Sequence, residues 1–412
     1  MVQAVVIGGG AVGMAIAIRL QQKGYAVSVV NEPSPQRPAS WGNAGHIAIE
    51  QVAPLASFAT LCGAPGRLMK MEGGLAFPLS AMASWLPFSL RLLLASAPKR
   101  YAAGVTALKS LLSESMPAWQ RYVATLNNPQ LIQRDGHYIA WNSKGSAAAG
   151  KKHWLNADVG TAHIRATTDE ELSTLQGLTR RKIVDAVYCE GTGQIHDPDM
   201  FFDAVHQHFL KNGGTFVAAR AVGLPCTDGH AHVHLDDGRV LDADHVIVAG
   251  GVASKSLLTK IGHSVPIVAE RGYHIQFSAG NWPAGLQPVV FEDYAMILTR
   301  FASNVRAAGY VEYATPGRKA DPRKWEQLLR NVRDLGLSLD HQVSEWMGAR
   351  PTLPDYLPAI GRSRHAFNLF YAFGHQHLGL TLAPVTGEIM AQMVSGHIPE
   401  IPVAPFDLER FG

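Results

Sequence analysis

Apolar residues open the chain in a short, almost unbroken run. The stretch from Val2 to Ile7 is apolar on both faces apart from Gln3, which predicts a buried strand that ends at a glycine cluster. Residues Ala11 to Lys23 predict a helix that Gly24 ends. A second buried strand, AVSVV, follows. The N-terminal pattern is therefore strand, glycine turn, helix, strand.

Strands and helices also alternate later in the chain. Asp197 and Pro198 start a predicted helix that ends at Gly213 and Gly214, before another strand. The segment HAHVHLDDGRVLDADHVIVAGG predicts a hairpin with a D-G turn and then a buried strand. Farther on, NLFYAFGHQHLGLTLAPVTGEIMAQMVSG predicts a strand, a glycine-rich turn and a helix. These units indicate an α/β protein.

The stretch from Gly73 to Leu90 is uncharged but contains two prolines and three serines, which makes it a poor membrane-spanning helix. It continues into SLRLLLASAPKRY, where Leu90, Leu93 and Leu94 share one helical face beside positive charge. Amphipathicity alone favours a partly buried helix of a second domain. Peripheral contact with a membrane stays open.

Composition narrows the class of protein. The chain has 412 residues, 47% of them hydrophobic, which is enough for two joined domains. Its formal net charge of +3 is scattered, so nucleic-acid binding is not supported. Cys62, Cys189 and Cys226 are far apart and form no C-x-x-C pair, which indicates a reducing compartment. Cleavage of a secretory signal would remove the glycine cluster, so a cytoplasmic protein is expected, with contact at the inner face of the membrane left open.

The glycine cluster carries the first chemical signal. Gly8, Gly10 and Gly13 fit G-x-G-x-x-G, which lets backbone approach a diphosphate at the positive end of a helix. Glu32 follows about 20 residues later, where a carboxylate accepts from ribose hydroxyls and repels a 2′-phosphate. A dinucleotide other than NADP is expected, and this unit alone does not separate FAD from NAD.

Three distant motifs accompany this unit in order: SWGNAGHIA, HVIVAGG and GHQHLGLTLAPVTG. Over nearly its full length the chain resembles the D-amino acid oxidase superfamily of FAD-dependent amine oxidoreductases, most closely the D-amino acid dehydrogenase and D-hydroxyproline dehydrogenase branch. The resemblance implies an α/β (α+β) fold with a Rossmann-like FAD-binding domain assembled from residues 1–75, 193–265 and 346–412. It implies a mixed-sheet substrate-binding domain at residues 76–192 and 266–345.

The resemblance also implies which residues hold FAD. The ADP half would lie on the N-terminal cluster, the diphosphate and flavin along the SWGNAGHIA stretch, the adenine against backbone at Val222, and the isoalloxazine ring against GHQHLGLT. The expected cofactor-binding residues are Gly8, Gly10, Ala11, Val12, Gly13, Glu32, Ser40, Asn43, Ala44, Gly45, Val222, Gly250, Gly374, His375, Gln376, Leu378, Gly379, Leu380 and Thr381. Relatives with covalent flavin use a cysteine near the C-terminal motif, and none follows Cys226, so non-covalent FAD is expected.

An amino-acid oxidoreductase must fix the Cα–H bond while a hydride moves to flavin N5. Arg350 in GARPTLPDYLPAIG matches the position that binds substrate carboxylate in similar enzymes, although pairing with Asp355 or capping of a carbonyl would also explain it. Tyr273 in ERGYHIQF either reaches the carboxylate or is a buried tyrosine with a satisfied hydroxyl.

Histidines supply the remaining catalytic candidates. His46 is either a proton acceptor or a partner that orients its loop. His375 and His377 follow Gly374, and one of them, His377 in the expected catalytic set, would lie beside the flavin edge as a positive or donating group. The alternating histidines of HAHVH would share one face of a strand, and an exposed strand is preferred there to a metal site, so no metal is expected.

The function expected from these residues is oxidation of a D-amino acid, or of D-proline or cis-4-hydroxy-D-proline, to the imine. Electrons would pass to a quinone or another carrier. The alternatives are an FAD-dependent oxidase of a secondary amine such as sarcosine or of glycine, an NAD-dependent dehydrogenase with a single Rossmann domain, and a non-catalytic FAD-binding module. A homo-oligomer stays open.

Overall fold

The structure is a computed structural model that describes residues 1–34, 37–54, 75–76, 82–280, 282–315, 317–339 and 343–412. Cys62 and residues 73–74 and 77–81 of the uncharged stretch lie outside the described residues.

In chain order the strands are β1 (Gln3–Ile7), β2 (Ala26–Asn31), β3 (His46–Ile47), β4 (Leu75–Ala76), β5 (Ile132–Gln133), β6 (His137–Trp141), β7 (His163–Ala166), β8 (Asp185–Glu190), β9 (Gly193–Ile195), β10 (Thr215–Ala218), β11 (Ala221–Gly223), β12 (Cys226–Thr227), β13 (His230–Ala231), β14 (Val233–Leu235), β15 (Val240–Leu241), β16 (His245–Val248), β17 (Val268–Ser278), β18 (Val289–Phe291), β19 (Met296–Arg300), β20 (Asn304–Ala314), β21 (Ser344–Thr352), β22 (Ala359–Arg362) and β23 (Leu369–Phe373). The α-helices are α1 (Ala11–Gln22), α2 (Met82–Ala95), α3 (Pro98–Thr125), α4 (Lys144–Asn156), α5 (Asp169–Leu178), α6 (Pro198–Lys211), α7 (Ser254–Thr259), α8 (Pro322–Asp334) and α9 (Gly379–Val394).

Six strands from distant parts of the chain form the first sheet, in the order β10-β2-β1-β16-β23-β22. Neighbouring strands are parallel except for β22 and β23. Helices α1, α3, α6 and α9 share one apolar core with one face of the sheet. The hairpin β14–β15 and helix α7 contribute to the core on the other face. This arrangement confirms the α/β (α+β) class and the Rossmann-like sheet of discontinuous segments.

The first and last α-helices lie in direct contact against this sheet. A Cβ on Gly387 of α9 would lie 2.9 Å from the backbone of Ala15 on α1, so only glycine allows the helices to approach so closely. Trp119 of α3 donates from Nε1 to the carbonyl oxygen of Thr381, at 3.1 Å. The C-terminal helix is therefore fixed from two sides.

Nine strands form a second, mixed sheet, in the order β21-β17-β20-β19-β18-β6-β8-β7, with β4 beside β20. Helices α5 and α8 pack on one of its faces, and α4 packs on the opposite face near β6 and β8. The long antiparallel pair β17–β20 shifts register between Gly272 and Tyr273. The extra residue is Tyr310 on β20, which has φ of +60°.

Two expectations need correction. The segment SLRLLLASAPKRY is divided between α2 and α3, because Pro98 cannot continue a helix but is well suited to its first position. The histidines of HAHVH do not share one strand, since β13 and β14 belong to different sheets and His232 lies between them. No helix in the described ranges is both long and apolar enough to cross a bilayer.

Candidate cofactor and substrate site

A cleft of about 390 Å³ lies where three parallel strands end. Its lining comes from residues 8–12, 31, 37–40, 42–43, 249–253, 272–273, 308, 346–351, 372–377 and 379–380. Strands β1, β16 and β23 end just before three of these segments, and the carboxyl ends of parallel strands are where open α/β sheets bind ligands. The β21 segment comes from the second sheet, so both sheets contribute to the cleft.

The turn between β1 and α1 has the close packing that a diphosphate cradle needs. Gly8 has φ of +115°, and a Cβ there would lie 2.5 Å from the carbonyl oxygen of Ala249. A Cβ on Gly13 would lie 1.9 Å from the carbonyl oxygen of Gly8, so glycine allows α1 to rest on its own turn. Gly10 is the N-cap and offers no side-chain cap, so the backbone N–H groups of the first turn border the cleft.

Asn31, rather than Glu32, faces the cleft at the end of β2. Asn31 lines the cleft and accepts from the N–H of Gly9 at 3.1 Å. Glu32 follows the strand, its side chain is 60% exposed, and its nearest cation is Arg220 at 3.8 Å. Because side chains alternate in direction, a shift of one residue changes which side chain reaches the ribose position. The expectation against NADP relied on repulsion between the Glu32 carboxylate and a 2′-phosphate. The uncharged side chain of Asn31 would not cause that repulsion.

A buried arginine that the sequence analysis missed holds the SWGNAGHIA loop. Arg306 on β20 is 1% exposed and donates to the carbonyl oxygens of Trp41 and Asn43, at 2.8 and 2.5 Å. Burial lowers the pKa of Arg306 to about 9, against the opposing effect of Asp199 and Asp197. His274 on β17 donates to the carbonyl oxygen of Gly42 at 3.0 Å. The second sheet thus positions a loop of the cofactor cleft.

The expected cofactor residues divide into two groups. Those that line the cleft are Gly8, Gly10, Ala11, Val12, Ser40, Asn43, Gly250, Gly374, His375, Gln376, Gly379 and Leu380. Those outside the lining are Gly13, Glu32, Ala44, Gly45, Val222, Leu378 and Thr381. Thr381 instead accepts from the N–H of Ala48 at 2.9 Å, and the carbonyl oxygen of Val222 accepts from Lys260 at 2.9 Å. These two residues contribute to the fold around the cleft.

Arg350 lines the cleft and is held by a buried carboxylate. Its Nη1 donates to Glu270 at 3.2 Å across the β17–β21 pair, and Thr352 donates to the other oxygen at 3.0 Å. The Glu270 side chain is 2% exposed, whereas that of Arg350 is 29% exposed. Asp355 pairs with Arg410, not with Arg350. Arg350 therefore has a fixed anchor on one side and donors left for a ligand on the other.

Glycine makes room for this guanidinium. A Cβ on Gly272 would lie 2.7 Å from Nη2 of Arg350. Beside the pair, the hydroxyls of Tyr313 and Tyr356 are hydrogen-bonded to each other in a buried position. Burial, reinforced by Glu270, raises the pKa of both tyrosines above the ordinary value, so both hydroxyls are neutral.

The Tyr273 hydroxyl is engaged within the second sheet. It donates to Glu312 at 2.8 Å and accepts from the N–H of Asp321 at 3.1 Å, and its ring packs against Trp325 of α8. Burial raises its pKa to about 12. Tyr273 lies on the same face of β17 as Ile275 and Phe277, in the core shared with α8, so the contacts match the buried tyrosine with a satisfied hydroxyl.

His375 and His377 both line the cleft and both are neutral. Burial lowers the pKa of His375 to about 3, and its Nε2 lies 3.0 Å from the hydroxyl of Thr386. Burial likewise lowers the pKa of His377 to about 4, and its Nε2 donates to Oε1 of Gln51. His377 thus contributes a neutral imidazole near Arg350 rather than a positive charge.

His46 lies outside the cleft lining. It is 9% exposed, and its two ring nitrogens face the carbonyl oxygen of Gly193 and the carboxylate of Glu50. These contacts place His46 behind residues 40–43, the cofactor loop, which borders the cleft.

A Rossmann-like sheet with a glycine cradle, faced by an arginine from a second sheet, defines a dinucleotide-binding oxidoreductase. The model of the family DAO, FAD dependent oxidoreductase, matches residues 3–393, so the chain belongs to this family and its cofactor is FAD. A D-amino-acid oxidase of Bradyrhizobium diazoefficiens is 32% identical over 98% of each chain. D-amino acid dehydrogenase 2 of Ralstonia nicotianae is 26% identical over 99% of this chain and 100% of that protein.

Solved structures share the fold at lower identity. Glycine oxidase from Geobacillus kaustophilus has a TM-score of 0.73 and 18% identity over 99% of each chain. L-proline dehydrogenase from P. horikoshii has a TM-score of 0.73 and 17% identity over 100% of this chain and 97% of that one. These two likenesses show the fold.

Proposed function

We propose that the protein is an FAD-dependent D-amino acid dehydrogenase that oxidises the Cα–N bond of its substrate to the imine. D-proline and cis-4-hydroxy-D-proline are included as cyclic substrates, and the electrons pass to a quinone or another carrier. The observation that carries the proposal is Arg350, which lines the cofactor cleft and is held there by Glu270. Relatives named for D-amino acid oxidation support the substrate class.

The chain's own residues bind and orient the substrate. Bound non-covalently, FAD supplies the acceptor for the hydride from Cα. The free donors of Arg350 take the substrate carboxylate, because a guanidinium binds a carboxylate in two parallel hydrogen bonds. This contact fixes the direction of the Cα–H bond. His377 donates from Nε2 to Gln51, which leaves Nδ1 of the neutral imidazole to accept a hydrogen bond from the substrate amine; its pKa of about 4 is too low for it to take the ammonium proton.

Replacement of the arginine tests the proposal. Arg350→Met removes the charge but keeps an apolar stem of similar length. We expect kcat/KM to fall about 30- to 5000-fold, because loss of a charged contact in a dry site costs about 2 to 5 kcal/mol. The loss is measured as a slower anaerobic bleaching of the flavin band near ~450 nm at each substrate concentration. The substrates are D- and L-amino acids, including the proline stereoisomers.

The exposed Arg239 supplies a matched control, since Arg239→Met removes a charge from a surface turn. That variant should bleach like the parent protein. Full bleaching of Arg350→Met at the parent's substrate concentration would show that the carboxylate is bound elsewhere. If no amino acid bleaches the parent flavin, the non-catalytic module becomes the better description.

The same titration separates dehydrogenase from oxidase. A dehydrogenase that is reduced by a D-amino acid should reoxidise faster with a soluble quinone than with oxygen. An oxidase of sarcosine or glycine should consume oxygen with those substrates and yield hydrogen peroxide. The fold neighbours that are named glycine oxidase and iminodiacetate oxidase make this the first alternative to test.

Peripheral membrane contact through α2 would bring the enzyme to a membrane quinone, and we include it in the proposal. Leu86, Leu90, Leu93 and Leu94 are 43%, 59%, 52% and 61% exposed, an unusual density of large apolar side chains on one helix. Arg91, Lys99 and Arg100 are exposed nearby, and the sequence has no acidic residue between Glu72 and Glu114. This combination matches an interfacial helix on anionic lipid.

Vesicle flotation tests the membrane contact. The protein should float with vesicles of phosphatidylglycerol and phosphatidylcholine and less with phosphatidylcholine alone. The double variant Leu90→Glu, Leu94→Glu should stay at the bottom. Leu155→Glu, Leu210→Glu changes two equally exposed leucines elsewhere and should float like the parent. Equal flotation of the two double variants would contradict a docking role for α2.

A further inference from the structure

Three buried side chains converge behind the cofactor loop. His46 begins β3, Glu50 follows in the turn after it, and His137 begins β6, with exposures of 9%, 4% and 1%. One ligand atom of each lies within 4.8 Å of those of the other two, and the two imidazole rings are 4.4 Å apart. None of the three lines the cleft, so the cluster is separate from the cofactor site.

The hydrogen-bond partners of His46 require a positive charge at this point. Nδ1 lies 3.2 Å from the carbonyl oxygen of Gly193, which only accepts, so Nδ1 carries the ring proton. Nε2 lies 3.2 Å from Oε1 of Glu50, which also only accepts when ionised. If the His46 ring were neutral, the lone pair on its Nε2 would face a lone pair on Oε1 of Glu50. Either a second proton or a cation must lie between them.

The surroundings favour a cation over a second proton. Nδ1 of His137 is bonded to the hydroxyl of Thr192 at 2.9 Å, next in sequence to the Gly193 carbonyl that holds His46. Each histidine is thus oriented through one ring nitrogen and keeps the other, the usual arrangement of metal-bound imidazoles. Among the residues that the structure describes, the buried Oε2 of Glu50 has no hydrogen-bond partner. A second proton on His46 would still leave Oε2 of Glu50 and the other ring nitrogen of His137 without a role. One metal ion could bind a ligand atom from each of the three residues.

We propose that His46, Glu50 and His137 bind one divalent transition-metal ion, with zinc as the best match. Two imidazoles and one carboxylate form a common zinc donor set, completed by a water molecule. Ligand atoms on a tetrahedral zinc ion lie about 3.3 Å apart, close to the His46–Glu50 separation of 3.2 Å.

The ion links separate parts of the fold. It joins residues 46–50 to β6 of the second sheet. Thr192, just before β9, and Gly193, the first residue of β9, support the site through hydrogen bonds to His137 and His46. Gln51, adjacent to Glu50, accepts from His377 in the cleft. The site therefore connects parts of both sheets and lies one residue from a cleft contact.

Metal content tests the proposal without any substrate. Holoenzyme without a polyhistidine tag is incubated with ZnCl₂, passed through gel filtration and analysed by mass spectrometry of metals, with FAD content as the measure of folded protein. We expect about one zinc per chain in the parent protein and a small fraction of that in Glu50→Gln and His137→Gln. The thermal midpoint of chelator-treated parent should rise on addition of ZnCl₂, and that of the two variants should not.

Two further variants keep the outcome interpretable. Thr192→Val leaves all three ligands in place and should weaken zinc binding about 10- to 100-fold, even if the ligand variants fail to fold. His263→Gln removes a buried histidine whose ring nitrogens pair with Ser363 and Glu409, and it should retain the zinc of the parent protein. A parent protein that retains no zinc, or equal zinc in the parent and in Thr192→Val, overturns the proposal.

Discussion

At the scale of single residues, the space beside Arg350 is as important as its charge. A Cβ on Gly272 would lie only 2.7 Å from Nη2 of Arg350, so any larger residue would crowd the guanidinium. Gly272→Ala should therefore displace the guanidinium while leaving the sheet intact, because the end of an arginine side chain moves easily. A displacement of about 1 Å can cost about 100-fold in rate, so we expect kcat/KM to fall by about that factor.

Steady-state kinetics with the best D-amino acid, together with FAD content and thermal midpoint, measure this effect. The last two should stay near the parent values. Gly145→Ala, at a glycine with no atom within 4 Å of the added methyl group, is the matched control and should keep full activity. If Gly272→Ala were as active as this control, the position of Arg350 would not matter for turnover.

The sequence predicts which residues line the cleft where a motif fixes their spacing, and predicts them less well elsewhere. Gly8, Gly10 and Arg350 line the cleft. Asn31 is the last residue of β2, one beyond AVSVV, and no local pattern shows that its side chain rather than that of Glu32 faces the cleft. Tyr273 faces α8 by ordinary strand alternation, and periodicity does not show which element covers that face. Arg306, a charge within a largely apolar strand, was the available signal for the loop support.

At the scale of elements, the contact between α1 and its own turn determines whether FAD binds. Gly13→Ala would place a methyl carbon 1.9 Å from the carbonyl oxygen of Gly8, and a backbone atom cannot move aside cheaply. The helix must shift away from β1, which disrupts the cradle. We expect purified Gly13→Ala to contain little FAD, measured as the ratio of flavin to protein absorbance.

The control for this change is Gly177→Ala in α5, where nothing lies within 4 Å of the added carbon. It should retain full flavin and gain up to about 1 kcal/mol of stability, because alanine is the better helix former. Full flavin occupancy in Gly13→Ala would contradict the close packing of α1 on the turn.

Elements with clear caps were predictable. The helix after Asp197 is α6, with Asp197 accepting from the N–H of Met200, and the hairpin and the C-terminal strand and helix are present. The HAHVH segment was misjudged because two neighbouring pairings compete for it. Its alternation is the same in one strand or in two, so local pattern could not decide.

At the scale of the whole molecule, buried neutral histidines make stability depend on pH. The pKa values of His375 and His377 are lowered by burial to about 3 and about 4. The unfolded chain binds more protons than the folded protein between these values and about 6.5. Stability is therefore fully present above pH 6.5 and falls as the pH drops toward 4, by roughly 1.4 kcal/mol per pH unit for each histidine.

Urea unfolding midpoints of the holoenzyme between pH 7 and pH 4.5 measure this dependence. His375→Gln, which keeps a polar group near Thr386, should reduce the slope. His234→Gln changes an exposed histidine and should leave it unchanged. Parallel slopes for the parent and His375→Gln would mean that other groups control the acid sensitivity.

The global arrangement was predictable only through the family resemblance. Local patterns identify strands and helices, but the pairing of β16 with β23 joins segments that are far apart in sequence. The contribution of β21 to both the second sheet and the cleft is likewise a tertiary property. Neither follows from periodicity, because periodicity reports which face is buried and not what covers it.

The contact between α1 and α9 also has a consequence for synthesis of the protein. During translation, β1, α1 and β2 emerge early, while β23, which pairs with β16, and α9, which packs on α1, are made much later. At about 5–20 residues per second, the ribosome needs roughly 6–24 s to move from the end of β16 to the start of β23. For that time a nascent chain exposes an open edge of β16 and the bare face of α1. Chaperones that recognise apolar nascent segments should therefore bind this lobe before release from the ribosome.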